Sequence, residues 1–276
     1  MKSDPFAHLV SENPAGPRET VDDLLASARR EWFLLRKSFV QWPRENGDRP
    51  NMLAKFVRGR QERALDAFLL LHALRPILTG NPLPLATWGR ALSLAKPCDA
   101  IGASRAFNYL HSMGLVDRQL GVSAPIIVPL LEDGSGLEWH RSGPSGSEVG
   151  KGYFAVPHAY WTGGFASTLK LPGKAMLLIM LAETGQNASF AMAVERASEW
   201  YGISERTAER GYNELSAAGL LLVHRQLVAD ARHPLGRREV YHRALVSPFS
   251  TEDRRRLQEE SRPARRKSAR HPVPTT

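Results

Sequence analysis

Cysteine is almost missing from this chain, with Cys98 alone among 276 residues. One thiol forms neither an intramolecular disulfide nor a multi-cysteine metal site, so stability must come from an apolar core. Long apolar runs are missing too. The longest candidate, Ala175 to Ala182, is far shorter than the roughly 18 residues of a membrane span. No membrane partner is expected. The first residues, MKSDPFAHLVSENPAGPRE, hold acids and prolines but no apolar stretch of the secretory-leader kind, which predicts a cytoplasmic location. Acids are in deficit: 28 Asp and Glu against 37 Lys and Arg, for a net charge of +9. That excess favours polyanionic partners, nucleic acid above all.

Catalytic signatures are also lacking. There is no His-Glu-x-x-His, Gly-x-Ser-x-Gly or Cys-x-x-Cys. His140, His158, His224, His233 and His242 are scattered without ligand spacing. GPSGSEVGKG (Gly143 to Gly152) ends in Gly-Lys, but its spacing is wrong for a phosphate-binding loop, and Gly152 stands where a magnesium-binding hydroxyl would be needed. LPGKA (Leu171 to Ala175) is a helix start. The expectation is a protein without enzymatic activity, cofactor or metal.

What is present is globular: 42% hydrophobic and 24% charged residues. Residues 1–20 are polar and punctuated by Pro and Gly, and disorder is expected there. Leu24, Leu25, Ala28, Trp32, Leu35 and Phe39 recur at three- and four-residue steps, which predicts one amphipathic helix from Val21 to Trp42, closed by Pro43. Such a helix either packs on the next domain or pairs two copies. Helical patterns follow at about 61–78, 86–95 and 103–113, then an extended stretch from Gly114. Ile126 to Leu131 and Leu137 to His140, around Glu132 to Gly136, have the pattern of a hairpin. Ser142 to Gly152 is a linker by composition.

The second half predicts a helix from Pro172 to Glu183, a strand at 189–192, a helix at 193–201, a helix at 205–218, and strands at 220–228 and 237–246. The division is therefore 1–20 disordered, 21–141 first domain with its N-terminal helix, 142–152 linker, 153–248 second domain, and 249–276 a basic, disordered tail. From Ser261 onward the tail carries Arg262, Arg265, Arg266, Lys267 and Arg270 and no acid. It is either simply solvated or an electrostatic arm.

The halves align at an offset of 105 residues, RAFNYLHSMGL from Arg105 on RGYNELSAAGL from Arg210. Both copies follow the order helix, helix, helix, strand, which predicts a duplicated unit. In the second copy Ser204 is placed to cap a helix, with Ile203 and Ala208 at staple positions. Ala208, Gly211, Tyr212, Leu215 and Ala218 form an inward stripe. Arg206, Arg210 and Asn213 form the opposite one, flanked by Glu205, Thr207 and Glu209. Guanidinium and carboxamide groups on one face suit the major groove, where Arg pairs with guanine and Asn with adenine.

From Gly202-Ile203-Ser204 through Thr207, Leu215 and Gly219-Leu220 to the basic hairpin with Arg232, His233, Arg237 and Arg238, the chain resembles the winged helix-turn-helix superfamily. The resemblance covers about 171–246 and, in weaker form, about 64–140, where KPCDAIGAS replaces the compact turn and Ser104, Arg105 and Asn108 stand on the corresponding helix. It implies a mainly α, α+β fold of two tandem winged units. The helix at 205–218 would enter a major groove, and its wing would touch phosphate or the minor groove. The expected function is sequence-specific binding of double-stranded DNA by a homodimeric transcriptional regulator. A replication initiator or partition-type protein of a plasmid or integrated element is one alternative, and a protein-interaction scaffold that does not touch DNA is another.

Overall fold

The segment expected as one helix from Val21 to Trp42 is instead helix, strand and turn. In the computed structural model, which describes residues 13–28, 30–42, 51–78, 80–121, 124–140 and 152–261, α1 covers Pro17–Ala26. Strand β1 follows at Trp32–Arg36, and a 3-10 turn at Lys37–Phe39. The apolar positions are buried as the periodicity implied, Leu25, Ala28, Trp32, Leu35 and Phe39 among them. Trp32-Phe33-Leu34-Leu35, however, is a continuous apolar run. Such a run suits a strand covered on both faces, and periodicity alone does not separate it from a buried helix. The apolar residues of the segment are buried within the chain.

Next come α2 (Met52–Arg58), α3 (Glu62–Leu78), α4 (Leu85–Ala91) and α5 (Ala100–Ser112). An antiparallel hairpin of β2 (Val116–Gln119) and β3 (Ile126–Pro129) follows. The expected pairing of 126–131 with 137–140 is thus replaced by pairing with β2. Only a single bridge, Leu130 to Glu138, remains of it. The reason is local: Leu131 N–H donates to the Leu137 carbonyl at 2.9 Å and Gly134 N–H to that of Leu131 at 3.2 Å, so the chain closes into a tight turn.

Strand β4 (Tyr153–Pro157) leads to two short helices, α6 (Ala159–Thr162) and α7 (Phe165–Thr168). Then come α8 (Leu171–Glu183), the short β5 (Phe190–Ala191), a 3-10 turn at Val194–Arg196 and α9 (Ala197–Tyr201). The series ends with α10 (Glu205–Ala217), β6 (Leu221–Ala229) and β7 (Arg237–Leu245), the three strands lying in the order β5-β7-β6. The result is a mixed α and β fold with small sheets.

One helix of each half keeps the 105-residue offset. Helices α5 and α10 begin at 100 and 205 and end at 112 and 217, the same offset of 105. Their caps, Asp99 and Ser204, keep that offset, as do Gly114 and Gly219, left-handed at φ of 68° and 69°. A side chain at either glycine would strain the chain where it turns from helix to strand. Ala103 and Ala208, Phe107 and Tyr212, Leu110 and Leu215, and Leu115 and Leu220 are all buried.

The halves are not separate bodies. β1 pairs antiparallel with β4, from Trp32 opposite Pro157 to Arg36 opposite Tyr153, and one apolar core runs through both halves. The linker at 142–152 lies outside the described residues except for Gly152. The termini differ from expectation as well, since α1 begins at Pro17, and Phe249 is buried ahead of α11 (Thr251–Glu260). Arg254 of α11 is buried and donates to the carbonyls of Leu181 (3.0 Å) and Thr184 (2.9 Å), capping the end of α8. Residues 1–12 and 262–276, with the tail cations, lie outside the described residues.

Candidate nucleic-acid interface

Helix α10 is held in place from its buried side. Ser204 Oγ accepts the Thr207 N–H at 3.2 Å, and the two hydroxyls are 2.8 Å apart. Ile203 and Ala208 are buried. Gly211 lies flat on α8, where an added Cβ would come within 2.5 Å of the Pro172 carbonyl oxygen. Glu214 reaches back to the start of α8, its Oε2 accepting the N–H groups of Lys170 (3.0 Å) and Gly173 (3.1 Å). A carboxylate there satisfies orphan donors at the positive end of the helix. These contacts fix the rotation of α10 about its axis.

The opposite face is left to solvent. Glu205, Arg206, Glu209, Arg210 and Asn213 are exposed. Their side chains make no hydrogen bond or ion pair among the described residues. Arg206, Arg210 and Asn213 follow i, i+4, i+7 and share one stripe. Thr207 sits at its edge, half-buried.

Beside this face stands the hairpin of β6 and β7, paired from Leu221 opposite Leu245 to Ala229 opposite Arg237. It carries five arginines (225, 232, 237, 238, 243) against the acids Asp230 and Glu239. The tip turn is closed by Asp230 N–H donating to the Gly236 carbonyl at 2.9 Å. Arg232 and His233 lie in that turn, and His233 Nδ1 accepts the Leu235 N–H at 3.2 Å. Arg237 is exposed without an ion pair among the described residues, while Arg238 lies 3.6 Å from Asp230. That pair is exposed and holds Arg238 only weakly.

Sequence reasoning missed three residues of this surface. Arg243 stacks over the Tyr212 ring at 4.0 Å and donates to the Met192 carbonyl at 3.1 Å. Burial pushes the Tyr212 phenol up to about 12. Tyr241 donates to Glu239 at 2.7 Å, and Arg225 pairs with Glu239 at 3.1 Å. Arg243 and Tyr241 line an open groove of about 850 Å³ between α10 and β7, together with Arg238, Asn213, Glu209 and Arg196. Strand alternation puts 239, 241 and 243 on one face. Which face meets α10 depends on the anchoring of Leu221 and Leu245, which no local pattern reveals.

The corresponding face of α5 offers fewer free polar groups. Asp99 caps α5 by accepting the Gly102 N–H at 2.7 Å. Ile101, 61% exposed, occupies the position of Arg206. Ser104 is half-buried. Asn108 is taken up by Arg118 of β2, whose guanidinium donates to its Oδ1. Arg105 remains as the exposed α5 cation without a partner among the described residues.

Elsewhere, Cys98 is half-buried, and burial pushes its thiol up, away from a reactive thiolate. Among the described residues no cluster of three His, Cys, Asp or Glu is placed to hold a metal, and no helix is long and apolar enough to cross a membrane. No family model, curated protein or solved structure matches this chain.

Proposed function

We propose that this protein binds double-stranded DNA in a sequence-specific manner, as two tandem winged helix-turn-helix units of which the second supplies the base contacts. The observation that carries this reading is the outer stripe of α10. Arg206, Arg210 and Asn213 stand exposed and uncommitted beside a hairpin with five arginines, on a helix whose rotation is fixed by buried contacts. Preset side chains of this kind meet base edges without first breaking internal bonds. The free Arg237 and weakly held Arg238 are suited to phosphate.

In biological role we propose a homodimeric transcriptional regulator. Replication initiation or partition uses the same chemistry on a different target. Selection of binding sites from a random duplex pool by the full-length protein is the test. One enriched motif, lost in Arg206→Ala/Arg210→Ala, is the expected result. A palindrome at a promoter then indicates regulation, and clustered repeats at an origin indicate initiation. Recovery of no motif and no salt-dependent binding would reject DNA recognition. One observation favours the scaffold reading in that event: the hairpin exposes Leu222, Val223, Leu227, Leu235 and Tyr241, an apolar set suited to a protein contact.

A further inference from the structure

The place where α3 meets the β1–β4 ribbon encloses a cavity of about 530 Å³, open on one side. That volume falls within the range of small-molecule sites. Phe33 and Trp32 of β1, Ala73 of α3 and Trp139 contribute apolar wall.

Two ring nitrogens of wall residues are unsatisfied and closed off from solvent. Nε2 of His72 and Nε2 of His158 are buried and have no hydrogen-bond partner among the described residues. Both residues are 5% exposed. Their rings flank Phe33, with centroids 6.5 Å and 6.4 Å from its own. Burial holds the imidazoles at about 3 and about 4, so at neutral pH each is uncharged and carries one ring proton.

The charge at the cavity has one sign. Among the described residues Arg30 and Arg75 line it, and no Asp or Glu does. Arg75 stacks its guanidinium 3.2 Å from the centre of the Trp139 ring and makes no ion pair among the described residues. The nearby carboxylate is already used. Glu132 is fully buried and accepts from Arg36 Nε at 3.0 Å and from the Trp139 indole at 3.2 Å.

We propose that this cavity binds a small planar aromatic carboxylate, its ring against Phe33 and Trp139 and its carboxylate on Arg75. Aromatic walls select a flat ring, and a guanidinium fork selects a carboxylate. The proposal does not depend on DNA binding.

The test is calorimetric titration of the full-length protein with benzoate, salicylate and indole-3-carboxylate, with benzamide and acetate as controls. Saturable binding of at least one aromatic acid at one per chain is expected, with benzamide about tenfold weaker or more and acetate silent. Arg75→Gln should weaken the acid by about tenfold and leave benzamide unchanged. Ala73→Trp, filling the cavity, should abolish binding; if that variant does not fold, Arg75→Gln decides. Absence of binding by all three acids up to roughly 10 mM would overturn the proposal. So would equal affinity for benzoate and benzamide, or wild-type affinity in a folded Ala73→Trp or Arg75→Gln protein.

Discussion

The ammonium of Lys174 on α8 lies 2.6 Å from the carboxylate of Asp66 on α3, with no exposed surface of its own. Glu62 stands 3.0 Å away, and Tyr160 donates to the other Asp66 oxygen at 2.8 Å. Helices α3 and α8, one from each half of the chain, are thus joined through a buried charge. Burial pushes the Asp66 carboxyl up, and the Lys174 charge pulls against it. Removing one member leaves the others buried and unpaired, which costs about 3–5 kcal/mol for a fully buried pair. Both acids keep some solvent exposure, so Lys174→Met is expected to cost about 3 kcal/mol in urea unfolding. A loss below about 1 kcal/mol would mean that the pair does not hold the halves together.

Stability should fall in mild acid because of His72 and His158. Unfolded imidazoles titrate near 6.5, whereas burial holds these two at about 3 and about 4. Their folded values are depressed, so the stability they contribute is complete above about 6.5 and is lost as pH falls toward 4. The loss approaches about 1.4 kcal/mol per pH unit for each ring. Urea unfolding at pH 7 and pH 5 is the measurement. His72→Leu or His158→Leu should each remove about 2 kcal/mol of the difference between the two conditions. An unchanged difference in both variants would show that the rings are not held neutral.

Residues 152–248 alone should not fold. The fragment loses β1 as the partner of β4, the acids that meet Lys174, and the Arg254 cap on α8. Circular dichroism should show little cooperative unfolding, in contrast to the full-length protein. A sharp thermal transition would show the second unit to be autonomous.

Arg254→Lys should destabilise the protein despite keeping the charge. The guanidinium donates at once to Phe249 (3.1 Å), Leu181 (3.0 Å) and Thr184 (2.9 Å) carbonyls, and an ammonium on a flexible stem does not reproduce that fork. Burial lowers its pKa to about 10, so it stays charged at neutral pH. The expected loss is about 2 kcal/mol in thermal or urea unfolding.

On DNA, substitutions should sort by position. Arg206→Ala and Arg210→Ala are each expected to reduce discrimination for the best site by ~1–3 kcal/mol. Arg237→Ala and Arg238→Ala should weaken all sequences alike and lower the salt slope by about one unit each. Arg105→Ala should matter less than Arg210→Ala, since Ile101 and the occupied Asn108 leave α5 a weaker reading face. Competition binding against random duplex separates these outcomes. A larger specificity loss for Arg105→Ala would reverse the order of the two units.

The local signals in this chain were legible from the residues. A capping Ser204, a period of 3.6 through Leu215, the stop at Gly219 and two alternating runs around Asp230 to Gly236 delimit α10, β6 and β7 nearly as observed. The 105-residue offset also rests on such signals, because caps and helix-ending glycines act within one turn of the chain.

What only tertiary structure decided is everything set by what lies opposite. Trp32 to Leu35 became a strand because Tyr153 to Pro157, over a hundred residues on, supplies its hydrogen bonds. Lys174 carries no local mark of burial, and its place depends on acids from α3. Residues 251–260 look like a solvated charged tail until Arg254 meets the open end of α8. The unsatisfied histidines follow the same rule. Periodicity reports which face of an element is apolar, but desolvation and pairing depend on the partner that covers it.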